Sequence, residues 1–102
     1  MGEFKKIAAV SELPPPGEAR EFQLEGETIC VANENGRFSA MDNVCAHRGG
    51  PLGQGLAEDG KIVCPWHGWQ FDLKTGKSEQ SASLGVDVYE LKIDGDDVLV
   101  KK

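Results

Sequence analysis

The sequence has little of what secreted, membrane-spanning or nucleic-acid-binding proteins require. Its 102 residues include only three cysteines, an odd number that does not suit a disulfide framework. No apolar run approaches the roughly 20 residues of a membrane helix, and the N-terminus carries too few apolar side chains for a signal peptide. The 17 acidic residues outnumber the 11 basic ones, and the resulting net charge of -6 repels a nucleic-acid backbone. We therefore expect a soluble cytoplasmic protein that binds neither membrane nor nucleic acid.

The chain is long enough for one hydrophobic core but too short for two, which predicts a single domain over residues 1–102. Sustained helical periodicity is absent, and short apolar, β-branched stretches alternate with glycine-bearing turns such as Asn35-Gly36. This pattern predicts an all-β protein, an antiparallel sandwich or partly open barrel. The expected strands are 19–24, 27–32, 37–42, 61–64, 69–73, 86–93 and 97–101.

Two short segments combine cysteine with histidine. The first is Cys-Ala-His at residues 45–47, and the second, after 16 intervening residues, is Cys-Pro-Trp-His at residues 64–67. They hold the only two histidines of the chain. A glycine-rich stretch follows the first segment, and glycine lets backbone amides approach a ligand closely. Thiolate and imidazole together bind either zinc or an iron–sulfur cluster, so residue type alone leaves the metal open.

The pairing of the ligand types separates these two metals. Zinc ribbons and fingers usually present pairs of like ligands, whereas each segment here offers one cysteine and one histidine. Such mixed pairs suit two metal ions, one held by two thiolates and the other by two imidazoles. A structural zinc module stays open as an alternative, as does a catalytic thiol at Cys64 paired with His67.

The spacing of these segments, with Gly68 after the second, resembles the Rieske [2Fe-2S] family. The resemblance extends to residues 50–52 and 71–76, which are similar to the standalone ferredoxins. It implies a Rieske-like antiparallel β-sandwich with a small cluster-binding subdomain of two loops, at about residues 43–72. It also implies one [2Fe-2S] cluster per chain, with cysteines on the inner iron and histidines on the outer iron. The implied ligands are Cys45, His47, Cys64 and His67.

Residues beside the implied ligands are expected to surround the cluster without binding it. In high-potential respiratory members of the family a disulfide joins the two loops, and the matching positions here are Gly50 and Trp66. Those proteins also place Ser and Tyr hydroxyls near the cluster, where this chain has Trp69 and Phe71. We therefore expect a reduction potential near the low end of the Rieske range, roughly −150 mV. The expected surrounding residues are Arg48, Gly49, Gly50, Pro65, Trp66, Gly68 and Trp69.

The resemblance implies a one-electron carrier rather than an enzyme. Its expected partners are a flavin-dependent reductase and a terminal oxygenase or other redox acceptor, and the carrier itself is expected to be a monomer. The small subunit of an NAD(P)H-dependent nitrite reductase is the alternative. Many family members cover the cluster with prolines, whereas this chain has a serine-rich stretch between Lys77 and Val86. Cys30 lies in a strand-like stretch, and we expect it to be a small buried residue and not a ligand.

Overall fold

The computed structural model describes residues 3–46, 49–66, 68–81 and 83–101. Within these ranges the chain forms nine β-strands and two 3₁₀ turns, Val10–Glu12 and Leu52–Gln54, and no α-helix. The strands are β1 (Lys5–Ala9), β2 (Ala19–Leu24), β3 (Glu27–Glu34), β4 (Arg37–Asp42), β5 (Leu56–Glu58), β6 (Lys61–Val63), β7 (Gln70–Asp72), β8 (Val88–Asp94) and β9 (Asp97–Lys101). No helix of these ranges is long and apolar enough to cross a membrane.

The strands form two antiparallel sheets. The larger sheet has the order β1-β9-β8-β4-β3-β2, and the smaller one has the order β5-β6-β7. Tight hairpins connect neighbouring strands, as where Glu34 at the end of β3 lies opposite Arg37 at the start of β4. A two-residue hairpin turn of this kind needs positive φ at both central residues, which Asn35 (53°) and Gly36 (90°) supply. The all-β prediction is therefore confirmed.

The strand predictions are right at both ends for β2, β4 and β9, and need correction elsewhere. Strand β3 runs two residues further than predicted, because the Asn35-Gly36 turn joins it to β4 without an intervening loop. The predicted strands 61–64 and 69–73 shrink to Lys61–Val63 and Gln70–Asp72, because the residues between them form a loop. The predicted strand 86–93 is Val88–Asp94, since the Val86 amide donates to the Gly76 carbonyl (2.8 Å), outside the larger sheet. Strands β1 and β5 were not predicted.

Strand β3 is buried on both faces, which brings the smaller sheet against the larger one. Side chains alternate along a strand, so Ile29 and Val31 enter the core enclosed by the larger sheet, while Cys30 and Ala32 point the other way. That second face packs into a separate core shared with the smaller sheet, which we call the second core. Its buried members are Cys30, Ala32, Met41, Cys45, Leu52, Ala57, Ile62, Cys64, Phe71 and Leu73.

Candidate metal centre

The first loop, residues 43–55, connects β4 to β5. Its two limbs pair through an antiparallel bridge between Val44 and Pro51. Inside this bridge the Cys45 amide donates to the Gly50 carbonyl (2.9 Å), and the Gly49 amide donates to the Cys45 carbonyl (2.8 Å). These bonds hold the backbone of Cys45 on both sides. Its side chain points inward and Cys45 is only 2% exposed.

The second loop, residues 64–69, joins β6 to β7. The Cys64 amide donates to the Trp69 carbonyl at 2.7 Å, which closes the loop at its base. The Trp66 amide donates to the Cys64 sulfur at 3.4 Å. Cys64 is 1% exposed, so its sulfur is buried and oriented by an amide. An N–H group that points at a sulfur atom stabilises negative charge on it, as metal-bound thiolates require.

The two cysteines meet where the loops converge. Burial raises the pKa of the Cys64 thiol, the Trp66 amide opposes this effect, and the adjacent Cys45 side chain raises the pKa further. Two thiols from separate loops therefore share one buried site in the second core. A raised pKa keeps a thiol protonated, which opposes the alternative in which Cys64 acts as an activated nucleophile. A metal ion that binds such a site displaces the protons.

Gly50 lies at the contact between the loops. A Cβ atom at this position would lie 2.9 Å from the Cys64 sulfur and 2.9 Å from Cγ of Trp66. Both distances are shorter than the roughly 3.5 Å of an ordinary contact between carbon atoms. Only glycine therefore fits here without a shift of its neighbours. Positions 50 and 66, which the family resemblance matches to the disulfide of high-potential members, do face each other.

The donor atoms in the described part of the chain fit half of a Rieske cluster. Among the described residues no group of three or more His, Cys, Asp or Glu side chains is placed to hold a metal ion. His47, Arg48 and His67 lie outside the described residues, so the described donors at this site are the two thiols. Two adjacent buried thiols match the two cysteines that hold one iron of a Rieske [2Fe-2S] cluster. The two histidine ligands remain a prediction.

The other residues predicted to surround the cluster divide into exposed and packed ones. Trp66 is 49% exposed, and Pro65 and Gly68 in the same loop are also exposed. Trp69 packs against the second core, with its ring centroid 6.5 Å from that of Phe71. The exposed residues that the structure describes in the second loop are therefore nonpolar, while the base of the loop is anchored in the core. In the first loop Gly49 is exposed and Gly50 is buried.

The serine-rich stretch, where many family members have prolines, pairs with β7 through a bridge between Phe71 and Ser78. The Gln70 amide donates to Oε1 of Gln80 (2.9 Å), and the Glu79 amide donates to the Gln70 carbonyl (2.9 Å). The buried Ser78 hydroxyl oxygen accepts hydrogen bonds from the amides of Gln80 and Ser81. Side-chain and backbone hydrogen bonds thus hold residues 78–81 next to the start of β7 without proline.

A polar network that the sequence does not predict links the base of the first loop to β2. The Asn43 side chain donates to the Glu21 carboxylate at 2.6 Å, and its carbonyl oxygen accepts from the Gly53 amide at 2.6 Å. Gln54 donates to the second carboxylate oxygen of Glu21 at 3.3 Å. Glu21 lies 22 residues before Asn43 on a strand of alternating polarity, where the sequence gives no sign of a buried partner.

Comparison with known proteins identifies the family. The sequence profile of the Rieske [2Fe-2S] domain matches residues 3–90. The chain belongs to the Rieske [2Fe-2S] family. Its cofactor is accordingly a Rieske-type [2Fe-2S] cluster, which excludes the structural zinc module.

Several relatives are ferredoxin components of oxygenase systems. The chain is 32% identical over 99 residues to the ferredoxin component of the alkene monooxygenase system of Xanthobacter autotrophicus, covering 96% of this chain and 80% of that protein. It is 35% identical over 96 residues to the ferredoxin component of biphenyl 2,3-dioxygenase of Rhodococcus jostii, covering 93% and 89%. It is also 34% identical over 86 residues to human apoptosis-inducing factor 3. That match covers 83% of this chain but only 14% of the longer human protein.

Solved structures share the fold. The ferredoxin of carbazole 1,9a-dioxygenase from Nocardioides aromaticivorans matches with a TM-score of 0.83 and 28% identity, over 95% of each chain. A complex of reduced oxygenase and oxidized ferredoxin in carbazole 1,9a-dioxygenase matches with a TM-score of 0.81 and 26% identity, over 95% of this chain and 91% of that one. A Mycobacterium tuberculosis protein described as an NADH-dependent nitrite reductase small subunit reaches 0.87 at 19% identity, over 100% and 96%, and shows the fold alone. The predicted Rieske-like β-fold is therefore confirmed.

Proposed function

We propose that this protein is a one-electron carrier and not itself an enzyme, and that Cys45, His47, Cys64 and His67 hold its cluster. The observation that carries the proposal is the meeting of two buried thiols from two separate loops, in a family whose cluster needs two cysteines and two histidines. The ferredoxin relatives support the carrier role, since ferredoxins transfer electrons and transform no substrate. The cysteines would hold the buried iron and the histidines the iron nearer the surface.

We also propose a low reduction potential, roughly −150 mV. The position facing Gly50 is occupied by Trp66, and all three cysteines are free, so no disulfide links the loops. Positions 69 and 71 carry Trp and Phe, neither of which has a hydroxyl group to donate toward the cluster. Fewer hydrogen bonds to a cluster destabilise its reduced form and lower the potential. Protein-film voltammetry tests this value, and a clearly positive potential would contradict it.

The proposed partners are a flavin-dependent reductase as donor and a terminal oxygenase as acceptor. The solved complex of an oxygenase with a ferredoxin of this fold, at 26% identity, supports the second of these. In this chain, Val44 (55% exposed) and Trp66 (49% exposed) present apolar surface beside the two cysteines. A small apolar contact suits an acceptor that must bind briefly and release. The likeness to the nitrite reductase small subunit concerns fold alone, so nothing specific favours that alternative.

Domain organisation, cellular setting and oligomeric state are also proposals. We propose one domain over residues 1–102 with a cluster-binding part at about residues 43–72, supported by the second core, which joins both sheets. The free cysteines support a reducing, cytoplasmic setting. A monomer is proposed as the working form of the carrier.

Metal analysis of cysteine variants tests the ligand assignment. Purified protein should contain two irons and two acid-labile sulfides per chain and should absorb visible light. Cys45→Ala and Cys64→Ala should lose the cluster, while Cys30→Ala is the matched control, since Cys30 is buried in the same core but is not a proposed ligand. His47→Ala and His67→Ala should lose it as well. A full cluster in Cys45→Ala or in Cys64→Ala would contradict the assignment, as would loss of the cluster from Cys30→Ala alone.

A further inference from the structure

We propose that Glu21 and Asn43 are positioning residues that fix both ends of the first loop, and that the fixed charge of Glu21 disfavours reduction of the cluster. The inference rests on the proposed function, because it concerns the loop that carries Cys45. Neither residue is a proposed ligand. Asn43 lies two residues before Cys45 in the first loop, whereas Glu21 lies on β2 of the larger sheet.

The hydrogen bonds of Asn43 clamp the start of the loop to its end. Its side-chain carbonyl accepts from the Gly53 amide at 2.6 Å, and its backbone carbonyl accepts from the Leu52 amide at 2.8 Å. Asn43 is 6% exposed, so these bonds form away from water and their loss would leave buried groups without partners. The segment between them, which holds Cys45, is thereby closed at its base.

The carboxylate of Glu21 ties this closed base to β2. One oxygen accepts from Asn43 Nδ2 at 2.6 Å and the other from Gln54 Nε2 at 3.3 Å, so the carboxylate holds both sides of the loop base. Hydrogen bonds to an ionised acceptor are roughly twice as strong as those between neutral groups. The packing is equally close, since a Cβ atom at Gly53 would lie 2.4 Å from Cγ of Glu21 and 2.8 Å from Oδ1 of Asn43.

The field of Glu21 reaches the core in which the cysteines lie. Glu21 is opposite Cys30 in the β2–β3 register, and its charge contributes to the raised pKa of that thiol, after burial itself. Cys30 shares the second core with Cys45 and Cys64. A negative charge that disfavours a thiolate in this core also disfavours an added electron there, because solvent and salt screen the repulsion between buried charges only weakly. Removing the charge should therefore raise the reduction potential.

The first test compares Glu21→Gln with Glu90→Gln, which removes the same charge from β8 on the larger sheet. Glu90 is an exposed residue whose carboxylate pairs with Lys101 of β9 at 3.6 Å. Voltammetry should give a more positive potential for Glu21→Gln than for both wild type and Glu90→Gln. Hydrogen–deuterium exchange by mass spectrometry, which tolerates a paramagnetic cluster, should show exchange in the first loop about tenfold faster for Glu21→Ala. If Glu21→Ala does not fold, the nearly isosteric Glu21→Gln carries both readouts.

The second test reverses the direction of the hydrogen bond. Asn43→Asp alone places two carboxylates together and should accelerate exchange in the first loop and loss of the cluster. In the double variant Glu21→Gln/Asn43→Asp, the new Gln donates to the new Asp, which still accepts from the Gly53 amide. The exchange rate of the first loop should then return toward that of wild type, although each single variant exchanges faster than wild type.

The outcomes separate this inference from the proposed function. Equal potentials for Glu21→Gln and Glu90→Gln would overturn the proposed effect of the Glu21 charge. Unchanged exchange in the first loop for both Glu21→Ala and Glu21→Gln would overturn its positioning role. Failure of the double variant to slow exchange relative to Asn43→Asp would overturn the clamp. Wild-type protein without iron and sulfide would instead contradict the cofactor assignment and the proposed function, whatever the exchange rates.

Discussion

Replacing Gly50 by alanine should weaken retention of the cluster, because the added methyl group has no space. It would lie 2.9 Å from the Cys64 sulfur and from Cγ of Trp66, and 3.0 Å from Cδ2 of the same ring. Overpacking of this kind costs about 1–3 kcal/mol. A tenfold change in a rate or equilibrium corresponds to about 1.4 kcal/mol, so the half-life of the cluster should shorten about 5- to 150-fold. The decay of visible absorbance in the presence of an iron chelator measures this half-life.

A double-mutant cycle identifies which neighbour resists the methyl group. Trp66 is 49% exposed and its ring can move outward, whereas the Cys64 sulfur is buried and oriented by the Trp66 amide. Trp66→Ala should therefore rescue only part of the loss in Gly50→Ala, since the contact with the sulfur remains. A half-life for Gly50→Ala within about a factor of two of wild type would refute the steric argument made from these distances.

Three further predictions concern pH and electron transfer. Burial and the Glu21 charge raise the pKa of Cys30 to about 12, so above about pH 9 the unfolded chain loses the thiol proton before the folded chain does. Relative to Cys30→Ala, the free energy of unfolding should then fall by up to about 1.4 kcal/mol per pH unit. If urea denaturation gives the same pH dependence for both proteins, this prediction is wrong. Trp66→Ala should slow electron transfer to an oxygenase, because it removes an exposed apolar side chain of the proposed docking surface. The reduction potential should shift no more than it does in Glu90→Gln, and an unchanged transfer rate would argue against an apolar docking surface. Hydrogen bonds from the backbone amides of Thr75 and Lys74 lower the pKa of Asp72. The Asp72 carboxylate therefore stabilises the fold above about pH 4, and this stabilisation, which solvent screening limits to under about 1 kcal/mol, is lost as the pH falls further. Urea denaturation of Asp72→Asn should show no such loss.

Local pattern was sufficient for those strands whose ends are set by turn chemistry. Strands β2 and β4 begin or end next to two-residue turns at residues 25–26 and 35–36, and their predicted bounds are right. Strand β5 was missed although the Asp59-Gly60 pair after it carries the same signal, with both φ values positive. Strand β1 could not be predicted in this way, because it is defined by its pairing with β9 at the other end of the chain.

The candidate site was predictable to the extent that its chemistry is local. Cysteine and histidine within four residues of each other carry the family signature, and the burial of Cys45 and Cys64 agrees with it. The contact of Glu21 with Asn43 could not be predicted, because it joins residues 22 apart through the packing of the first loop on β2. Long-range contacts of this kind depend on tertiary structure and leave no periodic signal in the sequence.

The burial of β3 on both faces explains how a short chain can anchor the bases of both loops in the core while Val44 and Trp66 stay exposed. Cys30 and Ala32 on one face of β3 lie in the same core as Cys45 and Cys64, so the site is supported by close packing from the larger sheet. The Asn43 clamp adds a polar attachment at the loop base, which leaves the apolar side chain of Val44 free to face a partner. An electron carrier must present its cluster to a partner without letting the ligands move, since movement adds reorganisation to each transfer. We therefore expect substitutions at the loop base to change the potential and lifetime of the cluster, and substitutions at the exposed tip to change partner rates alone.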